Sequence, residues 1–458
     1  MTGNTTLTVV QQGWVDEPYT RGTWSIISTC LLTIILCCWT AVLPNIPARN
    51  DRWYDRLRDR LHLFSIGLLG PEFLLMLALG QWSSARASVN NSSQGKATIP
   101  WTLTHAFYAD MGGFVLNGEG IDSPFPVNAE QLFFLVKEKY IDYPEVTEDD
   151  IKDRNKSDGF SRVIAACQTL WFVVNSTTRV AQGLFLTTLE LTTISFVVVF
   201  LVTSYSWKHK PSNISSTIPI TTKTPIDAIR EKHCDYPDQP WHETPLDFAC
   251  HDVSFCQVHW RHYTRLLQKM HLSIFSRPMT ARPRNRIPSD NFLGTDLQAD
   301  IVATPTLIVV GVMFMFAWNS HFPSRAEHIL WRTASIYNLV FTIVAGLHAG
   351  YCDKVLLPGE LKKARSLPWY EPQRPPPPPP VSRKWDFWRR LAIRMRNLDP
   401  SRNPRSHVPL RVLLPTTVLC ALYCLGRGYI LVEDCIGLPK LPESAFRTVS
   451  WSVYVPHL

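Results

Sequence analysis

Long apolar stretches alternate with polar loops along this chain of 458 residues. Six of the stretches approach or exceed the roughly 20 residues that a helix needs to cross the hydrocarbon core of a bilayer. We therefore predict an all-α membrane protein with about six transmembrane helices. The predicted helices occupy residues 23–43 and 61–82 (together 23–82), 184–205, 301–319 and 334–351 (together 301–351), and 409–432.

The loops between these helices differ in charge. The segment PARNDRWYDRLRDR after the first helix contains five arginines in 14 residues, and further clusters of lysine and arginine lie in residues 206–300 and 352–408. Cytoplasmic loops of membrane proteins carry such an excess of basic residues. We therefore expect the two large basic loops, 206–300 and 352–408, to be cytoplasmic.

The same rule places the remaining loops outside the cytoplasm. Residues 83–183 are rich in Asp and Glu and show helical spacing of apolar residues, which predicts a large helical loop on the extracellular or lumenal side. Both termini, residues 1–22 and 433–458, are expected on that side too. Four Asn-X-Ser/Thr sequons there are candidate glycosylation sites, namely Asn4, Asn90, Asn91 and Asn155.

Three ionisable residues stand out because they lie inside predicted transmembrane helices, where a charge is costly. Glu190 and Arg427 are predicted at a similar depth, so we expect them to form a structural intramembrane pair. Glu72 follows Pro71 near the centre of its apolar stretch. A carboxyl group at that depth is either a proton donor or a buried structural acid, so Glu72 and Glu190 are the candidate catalytic residues.

Two motifs resemble metal sites without the accepted spacing or context. Residues Cys250, Cys256, His259 and His262 are ligand types for zinc, but their spacing fits no standard zinc pattern. The run from Asp149 to Asp153 has the DDxxD spacing of magnesium–diphosphate sites and also the acids of an ordinary helix start. We therefore expect no metal at either position.

Partners other than membrane lipid are weakly indicated. Six consecutive prolines at 375–380 form a stiff polyproline II segment, whose role is either a spacer or a ligand for a cytoplasmic proline-recognition domain. The net charge of +8 comes from basic residues beside membrane helices, so we expect no nucleic-acid binding. The chain lacks Walker, nucleophile-elbow, HExxH and dinucleotide motifs, which predicts no cofactor and leaves any small-molecule substrate unknown.

Several segments resemble a large family of uncharacterised fungal (ascomycete) multi-pass integral membrane proteins. They include GWVDEPYTRGTWSIISTCLLTIILCCWTAVLPNIP, GPEFLLMLALGQW, HAFYADMGGF, AWNSHFPSRAEHILWR and GRGYILVEDCIGLPKLPESAFRTVSWSVYVPHL. The resemblance implies a shared architecture, and a link to fungal secondary metabolism because some such genes lie beside secondary-metabolite genes. It implies no particular chemistry.

Three functions remain open. The first is an accessory or scaffold protein in the plasma membrane or an endomembrane, favoured by the large loops and the lack of catalytic motifs. The second is a membrane-embedded enzyme, such as an acid-initiated cyclase, acting on a lipophilic substrate with Glu72 or Glu190 as acid. The third is a channel or transporter, which ranks last because the sequence contains no filter-like loop or inverted repeat.

Overall fold

A computed structural model describes residues 10–16, 21–92, 99–154, 159–234, 241–250, 254–356, 392, 395–398 and 406–451. Within these ranges the protein is mostly helical, with thirteen α-helices and five short strands. The prediction of a helical protein is therefore correct, although "all-α" overlooked two small sheets. The first half of the chain contains α1 (Thr23–Ala41), α2 (Trp53–Leu69), α3 (Pro71–Ser92), α4 (Leu103–Asp110), α5 (Ala129–Lys137), α6 (Glu148–Asp153), α7 (Gly159–Ala181) and α8 (Thr188–Ser206).

The second half contains fewer and longer helices. They are α9 (Ile226–His233), α10 (Phe255–Lys269), α11 (Leu297–Met315), α12 (Arg325–Tyr351) and α13 (Leu410–Ile436). The strands are β1 (Val10–Gln12), β2 (Phe114–Asn117), β3 (Phe125–Val127), β4 (Ile218–Thr221) and β5 (Lys440–Pro442).

Five of the described helices are long and apolar enough to cross a membrane, namely α1, α8, α11, α12 with the turn that follows it, and α13. Their buried share is low; in α12 only 11% of the most apolar window lies inside the protein. Leucine, isoleucine and valine side chains cover much of the outer surface of these helices. An apolar outer surface of this kind is what a helix bundle presents to lipid tails.

Helices α1 and α8 run side by side in the same direction. Arg21, just before α1, contacts Glu190 in the first turn of α8, and further along Ile34 and Cys38 pack with Phe196. We call the end of the bundle at which α1 and α8 finish the basic side, because the arginine-rich segment 47–60 follows there. The opposite end, where the described parts of both chain termini lie, is the terminal side.

The predicted second transmembrane helix, residues 61–82, is two helices that meet at Gly70. Pro71 begins α3, a position where its missing N–H is not needed. A Cβ on Gly70 would lie 2.5 Å from the ring of Phe73, which is one reason why the break carries glycine. The expectation of one continuous helix with a proline kink is therefore wrong.

Helices α2 and α3 form a hairpin that enters and leaves the bundle on the basic side. Helix α2 returns along α1, with Arg60 donating to the carbonyl of Trp39, and reaches only as far as the cluster around Ile34. Helix α3 then runs back, and its Gln81 accepts a hydrogen bond from Lys210 just after α8. We call α2, Gly70 and α3 the re-entrant hairpin.

Helix α7 connects the two ends of the bundle. Near its start Ala165 packs in the cluster that contains Ala41 at the end of α1, whereas Phe172 packs with Ile26 and Leu189. Near its end Arg179 reaches the terminal side. The sequence predicts all of α7 within the outer loop 83–183, because its apolar run, Val163 to Val174, is only 12 residues long.

The part of the loop 83–183 that precedes α7 and the loop 206–300 form one domain on the basic side. Strands β2 and β4, one from each loop, pair in parallel, and β3 completes a three-stranded sheet in the order β3–β2–β4. Beneath the sheet lies a core that includes Phe114 and Leu246. Because hydrogen-bonded strands share one side of a membrane, the prediction that these two loops face opposite sides is wrong.

On the terminal side the two ends of the chain are joined. Strand β1 pairs antiparallel with β5, and Gly13 donates its N–H to the carbonyl of Pro439. The backbone N–H of Arg21 bonds to the carbonyl of Phe446. This joins the segment before α1 to the segment after α13.

Candidate functional site

The most unusual polar group inside the bundle is Arg427, in the middle of α13. Its side chain is 2% exposed, and the nine residues that follow it in α13 place it about 14 Å from the terminal-side end of that helix. Arginine is rare at such depth because removing a guanidinium from water is costly. A buried arginine there therefore requires a partner.

The nearest acidic partner is Glu72, at the tip of the re-entrant hairpin. Nη2 of Arg427 lies 3.6 Å from Oε1 of Glu72, which is an ion pair but longer than a hydrogen bond. The hydroxyl of Tyr423, one turn earlier on α13, donates to Oε2 of Glu72 at 3.0 Å. We call Glu72, Tyr423 and Arg427 the hairpin-tip centre.

Aromatic rings surround the hairpin-tip centre. The guanidinium carbon of Arg427 lies 4.8 Å from the ring centre of Phe314 and 5.7 Å from that of Phe196. The ring of Tyr423 stacks on Phe341 at 4.5 Å and meets Phe73 edge-on. Ring faces attract a guanidinium, so they compensate part of its lost hydration.

The guanidinium of Arg427 nevertheless makes no hydrogen bond. Its Nε, Nη1 and Nη2 have no acceptor among the residues that the structure describes. A buried donor left without an acceptor costs about 1–3 kcal/mol. Such a group gains free energy from any acceptor that reaches it, whether water or an anion.

A second charged centre lies near the terminal side and is more completely hydrogen-bonded, although Nη1 of Arg21 and Nε of Arg179 have no acceptor among the described residues. Oε1 of Glu190 accepts from Arg21 at 2.6 Å, and Oε2 accepts from the backbone and hydroxyl of Thr187, forming the capping box of α8. Arg179 lies 3.9 Å from the same carboxylate and donates to the carbonyls of Phe185, Ala445 and Arg447. We call Glu190, Arg21 and Arg179 the anchor centre.

These contacts correct the predicted intramembrane pair. Glu190 does not pair with Arg427; it pairs with Arg21 and Arg179, whereas Arg427 pairs with Glu72. The prediction failed because it took Arg21 and Arg179 for residues of outer segments. Both in fact lie against the first turn of α8. The arginine partners of Glu190 each keep hydrogen bonds and leave one nitrogen without an acceptor, whereas Arg427, the partner of Glu72, has no acceptor for any of its three side-chain nitrogens among the described residues.

A buried polar stripe continues from the hairpin-tip centre along α13. Tyr423, Arg427 and Asp434 follow one another at helical spacing on its buried face, and Asp434 lies next to Thr188 and Thr192 of α8. Asp434 is 1% exposed. The stripe therefore carries ionisable groups from the hairpin tip toward the terminal side.

Helix α3 has polar groups at its other end too, on the basic side. Lys210 donates to Gln81 at 2.8 Å, and Asp110 accepts from Ser84 and from the backbone of Ala129. Burial lowers the pKa of Lys210 to about 7 and raises the pKa of Asp110 to about 6. Between Glu72 and Gln81, however, the buried side chains of α3 are apolar.

The metal-site candidates do not come together. Sγ of Cys250 lies 3.5 Å from Nδ2 of Asn128, close to the three-stranded sheet of the domain on the basic side. Cys256, His259 and His262 lie on α10 instead. Nδ1 of His259 faces its own helix at the carbonyl of Phe255. Across the described ranges, no group of three or more His, Cys, Asp or Glu is arranged to hold a metal ion. The DDxxD run opens α6, where Thr147 and Asp150 form a capping box.

The predicted modification and docking sites are only partly described. Asn90 and Asn91 lie exposed at the end of α3, on the basic side rather than opposite it. Asn4, Asn155 and the proline run 375–380 lie outside the described residues.

Residues that the sequence analysis missed are Arg21, Arg179, Tyr423 and Asp434. Asp434 carried a usable signal, because it follows Arg427 by seven residues and so shares its helix face. For Tyr423, four residues before Arg427, the spacing is equally informative. Nothing local marks Arg179, whose partners are carbonyls about 265 residues further along the chain.

Comparison with known proteins finds a matching family model, but that family has no known function. Residues 2–228 match the model of a family described as a family of unknown function (DUF8562). The match covers about half of the chain and includes the re-entrant hairpin, Glu72 and Glu190, whereas Arg427 lies beyond it. No curated protein and no solved structure matches the chain.

Proposed function

We propose that the protein crosses the membrane six times, through α1, α7, α8, α11, α12 and α13, with the re-entrant hairpin inserted from the basic side. Helix α7 is the sixth crossing because its ends lie against opposite ends of α1. Its outward face is mainly apolar, as expected of a helix in lipid, although Gln168 and Thr177 are exposed there too. The exposed large apolar residues on α7 are Val163, Ile164, Leu170, Trp171, Val174 and Val180.

In this arrangement the basic side is cytoplasmic and both termini lie on the other side, extracellular or lumenal. Support comes from the arginines of segment 47–60, which precede the hairpin, and from the positive-inside rule. Asn90 and Asn91 are then unmodified. A glycosidase treatment of the protein from a eukaryotic host, combined with N91Q, tests this: no mobility shift is expected at either residue, and a glycan at Asn90 or Asn91 would contradict it.

The function that this geometry supports best is transport of a small solute, with the hairpin-tip centre as the binding site. The observation that carries the proposal is the guanidinium of Arg427, buried without a hydrogen bond beside the carboxylate on a re-entrant tip. Broken helices whose ends meet inside the membrane are how transporters and channels place polar groups at the bilayer midplane. From the sequence alone this function ranks last, because the chain has no filter-like loop and no inverted repeat; the hairpin was predicted as a single helix.

The test is solute flux through the purified full-length protein in liposomes, with R427M as the test variant. Wild-type protein is expected to carry a probe solute at least tenfold faster than protein-free liposomes, and R427M to lose that flux. E433Q is the matched control, because Glu433 is a buried acid on the same helix that binds Tyr429 instead. Equal flux through wild type and R427M would overturn the proposal.

An accessory or scaffold role is the second candidate, favoured by the domain on the basic side. That domain contacts the hairpin directly, since Gly80 of α3 packs against the carbonyl of Leu293, where a Cβ would lie 2.4 Å from the oxygen. A scaffold would show no flux for any probe and would tolerate R427M without loss of partner binding. A co-purification that depends on the domain, with no flux, would favour this role.

A further inference from the structure

We propose that the hairpin-tip centre takes a small monovalent anion on Arg427, and that each anion binds together with one proton, which Glu72 accepts. This inference rests on the transport function proposed above and names its substrate class and coupling. The ligand is an inorganic anion or a small carboxylate, because a guanidinium with free donors recognises planar or spherical acceptors of negative charge.

The first step concerns the unused hydrogen-bond donors of the site. The three nitrogens of Arg427 have no acceptor among the described residues, and the side chain is 2% exposed. Phe196 and Phe314 lie beside it and contribute rings rather than acceptors. Among the residues with a described structure, Glu72 is the one acid within ion-pair distance; it stands 3.6 Å away and is itself held by Tyr423. The surroundings of Arg427 therefore hold its side chain in place but provide no acceptor for its hydrogen-bond donors.

The second step is charge balance. With Glu72 ionised, the centre holds one positive and one negative charge, so an added anion alone would leave it with a net negative charge in a medium of low dielectric constant. An anion that arrives with a proton leaves the sum unchanged: the proton converts the Glu72 carboxylate to a carboxylic acid, and the anion replaces that carboxylate beside Arg427. One proton per anion follows from this balance.

The third step is the choice of proton acceptor. Among the described residues, the ionisable groups around Glu72 are Tyr423 and Arg427 on α13, with Cys424 beside Tyr423. Helices α8 and α11 contribute the rings of Phe196 and Phe314, which are not ionisable. Helix α2 meets the start of α3 through Gly67 and Leu74, which are not ionisable either. Asp434 is a second carboxyl that interacts electrostatically with Arg427; it lies seven residues further along α13, at a distance of about 10 Å along the helix. Glu72 is the acceptor because, of the carboxyl groups that the structure describes, it is the one within ion-pair distance of the guanidinium.

The experiment uses full-length protein in liposomes with a pH dye trapped inside and an inward gradient of sodium nitrate or sodium gluconate. Wild type is expected to acidify the interior without any ionophore, at least tenfold faster than protein-free liposomes, because proton and anion move together without net charge. In E72Q this acidification falls to the protein-free rate. D434N and the control E433Q retain at least half of the wild-type rate.

The outcomes separate the inference from the function on which it rests. Wild-type anion flux that requires a potassium ionophore, or acidification by E72Q at the wild-type rate, overturns the proton coupling while leaving transport intact. Loss of acidification in D434N with full activity in E72Q assigns the proton to Asp434 and overturns the choice of Glu72. The absence of flux for either anion in wild type and E433Q overturns the transport function itself.

A binding measurement gives a second readout that does not depend on flux. Nitrate is expected to raise the melting temperature of detergent-solubilised wild type more at pH 5.5 than at pH 8, because the proton favours anion binding. In E72Q the increase should be the same at both pH values, since the competing carboxylate is absent. A pH-dependent increase in E72Q equal to that of wild type would contradict the inference.

Discussion

Two buried arginine–glutamate centres lie in the same bundle and differ in how completely their hydrogen bonds are satisfied. In the anchor centre, Glu190 has three donors and Arg179 has carbonyl acceptors from two chain segments. In the hairpin-tip centre, Arg427 has a carboxylate at ion-pair distance and no hydrogen bond. Burial and charge are alike in the two, so neither distinguishes them. The difference is one of degree: Arg21 and Arg179 each have one nitrogen without an acceptor, whereas all three side-chain nitrogens of Arg427 lack one among the described residues.

The largest expected effect is at Arg179. R179Q removes a guanidinium from three carbonyls and from the neighbourhood of Glu190, and breaking a buried charged network of this kind costs about 3–5 kcal/mol of unfolding free energy. Chemical denaturation of the purified protein in detergent measures it. R447Q is the control, because Arg447 is largely exposed and pairs only with Glu443. If R179Q is as stable as R447Q, the anchor centre does not hold the bundle.

A charged cluster outside the membrane provides a reference of intermediate size. Glu243 accepts from Arg261 and Arg284 at 2.6 and 2.8 Å; burial opposes its ionisation, but these two guanidiniums outweigh that effect and lower its pKa to about 2. E243Q should therefore cost about 2 kcal/mol at pH 7.

The pH dependence of that cost has a definite sign. Because the folded pKa of Glu243 lies below the unfolded value near 4.5, its stabilisation is complete above pH 5 and is lost as the pH falls from about 4.5 toward 2. Denaturation of wild type and E243Q between pH 7 and pH 3 measures this. The two curves should converge on the acid side, and a constant difference would show that the ion pairs contribute little.

The next expected difference is between the unfolding free energies of E190Q and E72Q, the variants of two glutamates in the bundle. E190Q replaces a carboxylate that accepts charge-assisted bonds from Arg21 and from the capping box of α8, with an expected cost of about 2 kcal/mol. E72Q keeps an acceptor for Tyr423 and removes an ion pair without a hydrogen bond, with an expected cost of about 1 kcal/mol. Parallel denaturation of both variants tests the order, and a larger loss in E72Q would reverse the assignment of roles.

The smallest effect on stability is expected at Arg427. R427M removes a guanidinium without hydrogen bonds, fills the space between Phe196 and Phe314 with an apolar chain, and leaves Glu72 bound to Tyr423. We expect a change within about 1 kcal/mol of wild type, of either sign, because the guanidinium has no hydrogen bond to lose and the Glu72 side chain keeps the Tyr423 hydroxyl and is 15% exposed. Should R427M unfold as readily as R179Q, Arg427 would be a second anchor and the comparison would fail.

Much of the membrane architecture can be predicted from apolar length alone. The five helices that qualify by length and composition all fall within or close to predicted stretches. The hairpin could not be found in that way, because the apolar halves of α2 and α3 add up to one apparent span. The pair Gly70–Pro71 was the available signal, since a glycine followed by proline ends one helix and begins another.

Helix α7 was missed for the opposite reason. Its central apolar run, Val163 to Val174, is shorter than a bilayer is thick, and the remaining length is polar or basic. Some of its polar residues face other helices or the helix ends: Thr169 is buried and bonds within the helix, and Arg179 finds carbonyls, whereas Gln168 is exposed. If α7 crosses the membrane as proposed, the side assigned to the preceding loop and to the sequons in it is reversed.

The charged residues of the candidate site could be predicted from the sequence, but which of them contact each other could not. Glu72 and Arg427 were identified because charges in apolar stretches are conspicuous, yet pairing by equal depth chose Glu190 for Arg427. Depth along a helix says nothing about which helices are neighbours. Only the return path of α3 beside α8 and α13 brings Glu72 within reach of the guanidinium.

The pairing of β1 with β5 constrains how the chain matures. Residues 10–12 leave the ribosome about 430 residues before residues 440–442, so β1 has to wait for β5 to be synthesised before its ladder can form. Two of the carbonyls that receive Arg179 are likewise made more than 260 residues after it. A truncated product would therefore carry an unclosed strand and an unbound guanidinium, both of which a quality-control system can detect.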